Sequence, residues 1–300
     1  MRVAAIDCGT NSIRLLIADA AGGGLTDVAR RMEIVRLGEG VDRTGRISDA
    51  ALARTRKALL GYAAEIAELG ISRVRMCATS ASRDASNAAD FRDMVRSVLG
   101  VDPEVITGDE EARLSFTGAV AGLTADPPYL VVDIGGGSTE FVTGSSGVEH
   151  AISMDIGCVR MTERHLHDDP PTAAQIAAAT ADITAAVDTA LAAVPGREAA
   201  TLVGLAGSVT TVVALAQNLP GYDATRIHHA RVSRDEVAKV TADLLGMTVA
   251  ERLARPVMHP GRADVIGGGA LILQIIMERS GLTSVVASEH DILDGICLSL

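Results

Sequence analysis

Two short runs carry most of the recognisable chemistry. Asp7-x-Gly9-x-x-Ser12 and Asp133-x-Gly135-x-x-Ser138 are the same hexamer, 126 residues apart. Each lies between two apolar runs, a pattern that predicts strand, tight turn and return strand. Glycine in such a turn lets backbone N–H groups face inward and approach a phosphate as an anion nest. Gly9, Thr10, Asn11 and Ser12 form the first candidate phosphate loop; Gly135, Gly136, Gly137, Ser138 and Thr139 form the second. A lone Asp before Gly is by default a turn residue. Its duplicated placement instead favours Asp7 and Asp133 as hard oxygen ligands for Mg2+, with Mn2+ as a substitute. Gly207 and Ser208 read either as a third nest where a helix begins or as a simple helix cap.

Other chemistries are thinly represented. Cys8, Cys77, Cys158 and Cys297 form no CxxC pair, which excludes zinc and redox motifs and predicts buried, reduced thiols. The seven histidines show no ligand spacing and read as surface or capping residues. Lys plus Arg is 27 against 38 Asp plus Glu, net −11, a balance that speaks against nucleic acid and anionic membranes as partners. A phosphorylated ligand in a locally basic cleft remains compatible with it. Aromatics are 2% with no Trp, so platforms for stacking bases are few. The N-terminus meets Asp7 too early for a signal peptide. The longest apolar stretch, near Gly267 to Met277, contains Gln274 and stops at Glu278, short of a membrane span. A cytoplasmic protein is expected.

The elements that must position these loops alternate between strand and helix. Strands are predicted at Val3–Ile6, Ile13–Ala18 and Thr26–Leu37, then a helix capped by Ser48 with Leu52, Leu59, Ala63 and Ile66 on one face. Val74–Ala78 and Glu104–Thr107 read as strands, Asn87–Leu99 and Asp109–Ala121 as helices, and Arg83 falls in a Ser/Thr-rich loop. The Gly- and Pro-bearing segment Gly122–Pro128 marks a domain boundary, giving domains 1–124 and 125–300, the last helix being able to pack back on the first. Beyond it the opening repeats: strands at Tyr129–Ile134, Glu140–Thr143, Val148–Met154 and Thr201–Ala206. Helices are predicted at Cys158–Leu166, Ala173–Ala193, Ser233–Leu245, Arg262–Ser280 and from Ile292 onward, with Gly267-Gly268-Gly269 suited to close helix packing.

These motifs together resemble the exopolyphosphatase/guanosine pentaphosphate phosphohydrolase family. The resemblance rests on DCGTNSIRL at 7–15, ATSASRDASN at 78–87, ITGDEEARLSFTGAV at 106–120 and DIGGGSTE at 133–140. It continues through SMDIGCVRMTE at 153–163, GLAGSVTT at 204–211 and HPGRADVIGGGALIL at 259–273, in order along nearly the whole chain. It implies an α/β fold of duplicated actin-like domains (actin/Hsp70/sugar-kinase superfold, ribonuclease H-like), with the active site in the cleft between them. It also implies that Glu111 is the catalytic base and Arg83 a phosphate ligand, although Glu110 and Glu111 by themselves suit a plain helix start. The activity implied is Mg2+-dependent release of orthophosphate from the end of polyphosphate, short chains foremost, by a homodimer. The alternatives are guanosine pentaphosphate as substrate, or an actin-like nucleotide-binding protein without steady catalysis. Two features depart from the family: Ile292-Leu293-Asp294-Gly295 lacks an Arg often found there, and long members carry a further C-terminal helical domain.

Overall fold

The computed structural model describes residues 1–22 and 24–300. The chain divides into two compact units, Met1–Ala121 with Asp291–Leu300, and Gly122–His290. In the first unit, strands β1 (Arg2–Cys8), β2 (Ser12–Ala21), β3 (Gly24–Ile34), β4 (Val74–Ala78) and β5 (Glu104–Val105) form a sheet in the order β3-β2-β1-β4-β5. β1 and β2 pair antiparallel, as do β2 and β3, whereas β4 runs parallel to β1 and β5 to β4. Helices α1 (Val41–Thr44), α2 (Asp49–Glu68), α3 (Ser80–Asp84), α4 (Ala88–Leu99) and α5 (Gly108–Val120) connect and cover them.

β1 is central because its apolar run serves two faces, as an interior strand requires. Ala4, Ile6 and Cys8 pack with Leu59, Tyr62 and Ile66 of α2 and with Phe91 and Val95 of α4. Val3 and Ala5 point the other way, to Leu114 of α5. Ser48 starts α2 by accepting the Ala51 N–H at 3.2 Å.

The second unit repeats this plan. Its elements are β6 (Tyr129–Ile134), β7 (Thr139–Gly144), β8 (Val148–Met154), α6 (Cys158–His165), α7 (Ala173–Ala193), β9 (Thr201–Leu205), α8 (Ala206–Ala216) and α9 (Ala224–Ile227). β10 (Arg231–Ser233), α10 (Arg234–Gly246), α11 (Val249–Leu253), α12 (Ile266–Ser280) and β11 (Ser284–Ala287) complete it. The sheet order β8-β7-β6-β9-β11-β10 matches that of the first unit over five strands and adds β10 at the edge. The last helix, α13 (Ile292–Leu298), returns to the first unit, where Ile292, Leu293 and Ile296 join Val3, Ala5 and Leu114.

α7 is closed by a Thr172/Gln175 capping box and buries Ile183 and Val187 fully. Each such burial contributes about 1.5–3 kcal/mol. By length and composition α7 is apolar enough to cross a membrane. It therefore displaces Gly267 to Met277 as the longest apolar segment. Asp182 and Asp188 on α7 are ion-paired with Arg164 and Arg279, and its apolar face belongs to the core of the second unit. The glycines of α12 do serve packing: Gly268 lies against the Cys158 carbonyl and Thr162.

Several boundaries differ from expectation. The Ser/Thr-rich segment before Arg83 is the short helix α3. β3 ends at Ile34, and residues 35–38 leave the sheet to bond the first glycine loop. α12 begins at Ile266 because Pro260–Arg262 forms a 3-10 turn. β10 and β11 are three and four residues long, too short for a period to show in the sequence.

Candidate active site

In the first unit, the carboxyl ends of the parallel strands gather the candidate residues, where open α/β sheets commonly bind ligands. The first loop follows β1, Arg83 follows β4, and Glu111 follows β5 on the opening turn of α5. Thr79 N–H donates to the Cys8 carbonyl at 3.1 Å, and Ile106 N–H to the Ala78 carbonyl at 3.1 Å. Thr10 and Ser80 share a hydroxyl hydrogen bond of 2.8 Å. Arg83 Nη1 donates to the Ile106 carbonyl at 3.0 Å and to Glu111 Oε2 at 3.3 Å. Glu111 is buried, its helix started by Thr107, whose hydroxyl accepts the Glu110 N–H. The structure thus brings Glu111, Arg83 and the first loop together.

The two glycine loops share one construction. Gly9 N–H donates to the Ser12 carbonyl at 3.0 Å, and Gly135 N–H to the Ser138 carbonyl at 3.0 Å. In the first loop, the Thr10 carbonyl accepts from Gly38 N–H at 2.9 Å. The Asn11 carbonyl accepts from Val35 and Arg36 N–H at 3.1 and 2.8 Å. In the second, the Gly135 carbonyl accepts from Cys158 N–H at 2.9 Å, and the Gly136 carbonyl from Val159 and Arg160 N–H at 2.9 and 3.1 Å. Arg160 Nε holds the Gly137 carbonyl at 2.7 Å. Carbonyl oxygens that would repel a phosphate are therefore turned into the protein and satisfied, the arrangement a backbone nest needs. Close approach of α6 to the second loop depends on Gly157, where a Cβ would collide with the Gly136 carbonyl. Thr139, buried, donates its hydroxyl proton to the Ile156 carbonyl at 2.6 Å.

The aspartates differ in their surroundings. Strand register sets Arg14 opposite Asp7, but Glu140 opposite Asp133. Directly opposed residues project to the same face. Asp7 Oδ2 accepts from Arg14 Nε at 3.0 Å and Nη2 at 2.7 Å, and Asp7 Oδ1 is buried without a partner. Burial pushes the Asp7 carboxyl upward against the pull of Arg14. Asp133 and Glu140 are both buried, and Glu140 Oε1 accepts the Ser153 hydroxyl at 2.7 Å. Among the described residues no group of three or more His, Cys, Asp or Glu side chains is placed to hold a metal. One or two carboxylates suffice for Mg2+, which completes its octahedron with water and substrate phosphates. Within each unit taken by itself, Asp7 Oδ1 in the first and Asp133 with Glu140 in the second supply carboxylate oxygens of the kind such an ion takes. Glu140 reads from the sequence only as the start of a return strand, although it sits 126 residues after Arg14, the offset of the repeat.

Gly207 and Ser208 are placed differently from a bare nest. The Arg262 guanidinium lies on Gly207, where a Cβ would overlap it, and Arg262 Nη1 donates to the Thr211 hydroxyl at 2.9 Å. Ser208 is buried against Gly269 of α12, and the cap position of α8 is Leu205, so Ser208 does not cap the helix. The four cysteines are buried and unpaired.

Two mixed sheets of one topology, each with a glycine loop after its first strand, define a duplicated actin-like α/β protein. The profile of the Ppx/GppA phosphatase family matches residues 16–300, and the chain belongs to that family. It is 53% identical to Exopolyphosphatase 2 of Mycobacterium tuberculosis over 313 aligned positions, covering 100% of this chain and 98% of the relative. A crystal structure of an exopolyphosphatase-like protein, 46% identical, superposes with a TM-score of 0.96 over 99% of this chain and 98% of the other. The Aquifex aeolicus Ppx/GppA family member, 32% identical, gives 0.84 over 100% and 97%.

Proposed function

We propose that this chain is an exopolyphosphatase that hydrolyses the terminal phosphoanhydride of inorganic polyphosphate with Mg2+. The observation that carries the reading is the pair of glycine loops whose carbonyls are tied down by protein donors, with a buried carboxylate, Glu111, beside Arg83 in the first unit. The 53% identity to a protein named Exopolyphosphatase 2 supports the same substrate.

Glu111 orients a water and takes its proton as the water oxygen bonds to the terminal phosphorus. The bridging P–O bond breaks, orthophosphate leaves, and the polymer departs one unit shorter with the electron pair on its new terminal oxygen. Arg83 supports the reaction twice, by holding Glu111 through Nη1 and by offering a planar cation to a phosphate oxygen. Backbone N–H groups within Thr10–Ser12 and Gly136–Ser138 take further phosphate oxygens, Gly9 and Gly135 closing each loop on its own serine carbonyl. Mg2+, when bound, would neutralise phosphate charge, and the carboxylates that could hold such an ion are Asp7 in the first unit and Asp133 with Glu140 in the second. Buried, unpaired thiols suit a reducing cytoplasm.

Phosphate release from polyphosphate, guanosine pentaphosphate and ATP, measured side by side with Mg2+, tests the reading. Polyphosphate should be the best of the three. Preferential turnover of guanosine pentaphosphate would move the assignment to a nucleotide phosphohydrolase, and turnover of none would remove it.

A further inference from the structure

A chain of contacts inside the first unit links the C-terminal helix to both acids of the candidate site. Arg14 is shared between two buried carboxylates: Nε and Nη2 go to Asp7 Oδ2, and Nη1 goes to Asp291 Oδ2. Asp291 is the N-cap of α13, its Oδ1 accepting the Leu293 N–H at 3.0 Å, while its own N–H donates to Asp294 Oδ2 at 3.1 Å. Asp294 in turn takes Arg30 of β3 through both oxygens, at 2.6 and 3.2 Å. The start of α13 is therefore pinned to the sheet by two guanidinium groups.

α13 also crosses α5, the helix that opens with Glu111. The crossing is so close that a Cβ on Gly118 of α5 would collide with the Asp291 carbonyl, and a Cβ on Gly295 of α13 with the Leu114 carbonyl. Two glycines facing opposite backbones allow no slack between the helices. A shift at the start of α13 is therefore passed to α5 and its first turn.

We propose that Asp291 is a positioning residue for the reaction, holding Asp7 through Arg14 and Glu111 through the α13–α5 crossing. This rests on the phosphohydrolase reading for its kinetic consequence. Asp291 contacts neither reacting atoms nor substrate phosphates in this role. Sharing Arg14 with Asp291 keeps that guanidinium from turning wholly onto Asp7, so Asp7 Oδ1 stays without a partner of its own. A Lys at position 14 would offer one compact charge instead of a fork, and could not keep the same three bonds.

Asp291→Asn keeps the Oδ1 cap on the Leu293 N–H but sets an NH2 where Oδ2 accepted from Arg14, so it cuts the Arg14 link and leaves the helix cap in place. The melting temperature should fall with the lost buried bond, so kinetics are taken well below it, on folded protein. kcat on polyphosphate should fall about ten-fold or more with KM within about two-fold, the signature of a misplaced reacting group. Arg14→Lys should give a similar loss, and the double variant should lose little more than either single one. Amide hydrogen exchange is the independent arm: residues 7–12 and 107–113 should exchange faster in Asp291→Asn, with α2 and α4 unchanged. Wild-type kcat in the folded variant, a loss carried equally by KM, or unchanged exchange in both segments overturns the proposal. If the wild-type protein releases no phosphate from polyphosphate, the functional reading is what fails. Exchange alone then decides, faster exchange supporting the positioning role and unchanged exchange rejecting it.

Discussion

Arg83 and Glu111 are joined by one nitrogen: Arg83 Nη1 lies 3.3 Å from Glu111 Oε2 and also donates to the Ile106 carbonyl at 3.0 Å. That contact sets the carboxylate beside a cation, the arrangement on which the proposed base role rests. Glu111→Gln keeps an acceptor for Arg83 but removes the proton acceptor for water. Turnover should fall by about 10²–10⁴-fold, the usual contribution of a positioned acid–base group. The fold and substrate binding should persist, and wild-type turnover in a folded variant would refute the role.

Asp133 and Glu140 face each other across β6 and β7 as two buried acids. Asp133→Asn removes one hard oxygen of the pair, so activity should fall and the Mg2+ titration should shift to higher concentration. An unchanged titration would leave Asp133 a structural residue of β6.

Gly157 lies on the backbone of Gly136 and Gly137. Gly157→Ala should destabilise the protein by about 1–3 kcal/mol, the range for overpacking. Because the obstructing atoms belong to the second loop, kcat/KM should drop beyond what the loss of folded protein explains. Urea denaturation with kinetics on the remaining folded enzyme checks this. An equal loss in both would make Gly157 a packing residue only.

His228, His229 and His290, which read from the sequence as surface or capping residues, are in ring contact: His228 stacks on His229 with centroids 3.7 Å apart, and His290 lies tilted against His228 at 4.5 Å. Burial, with His290 beside it, lowers the pKa of His229 below its ordinary 6.5. The folded state thus favours the neutral ring, and its contribution is present above pH 6.5 and lost as pH falls through the lowered value. Thermal melts from about pH 8 to about pH 5 should show wild type losing stability on the acid side. His229→Asn should lose less, since Asn does not titrate and tolerates the left-handed backbone, φ 62°, at that position. Parallel curves would reject the assignment.

The net charge of −11 sets an expectation for substrate length. Away from the loops and Arg83, a polyanion meets repulsion on average, so grip should come from the terminal phosphates. Affinity should level off at short chain length, and cutting should be distributive. A gel of long polyphosphate at partial digestion should show the whole population shortening. Intact long chains beside free phosphate would show processive cutting and exclude the idea.

The duplicated hexamer with its flanking apolar runs determined that two strand–turn–strand units open the two halves of the chain, because short continuous apolar runs and Gly-bearing turns are local signals. β1, β6 and the helices capped by Ser48 and Thr172 were legible for the same reason. Glu111 was legible only through family resemblance, since an acid at a helix start is ordinary. Register placed Glu140 beside Asp133, and parallel pairing of β1, β4 and β5 brought Arg83 and Glu111 to the first loop. The Arg14–Asp291 link spans 277 residues, and the His228–His290 ring contact joins positions 62 apart. No local propensity encodes such pairs. They exist because the sheets and the returning α13 bury charged and polar groups that must then find partners within reach, and only the folded chain decides which partners those are.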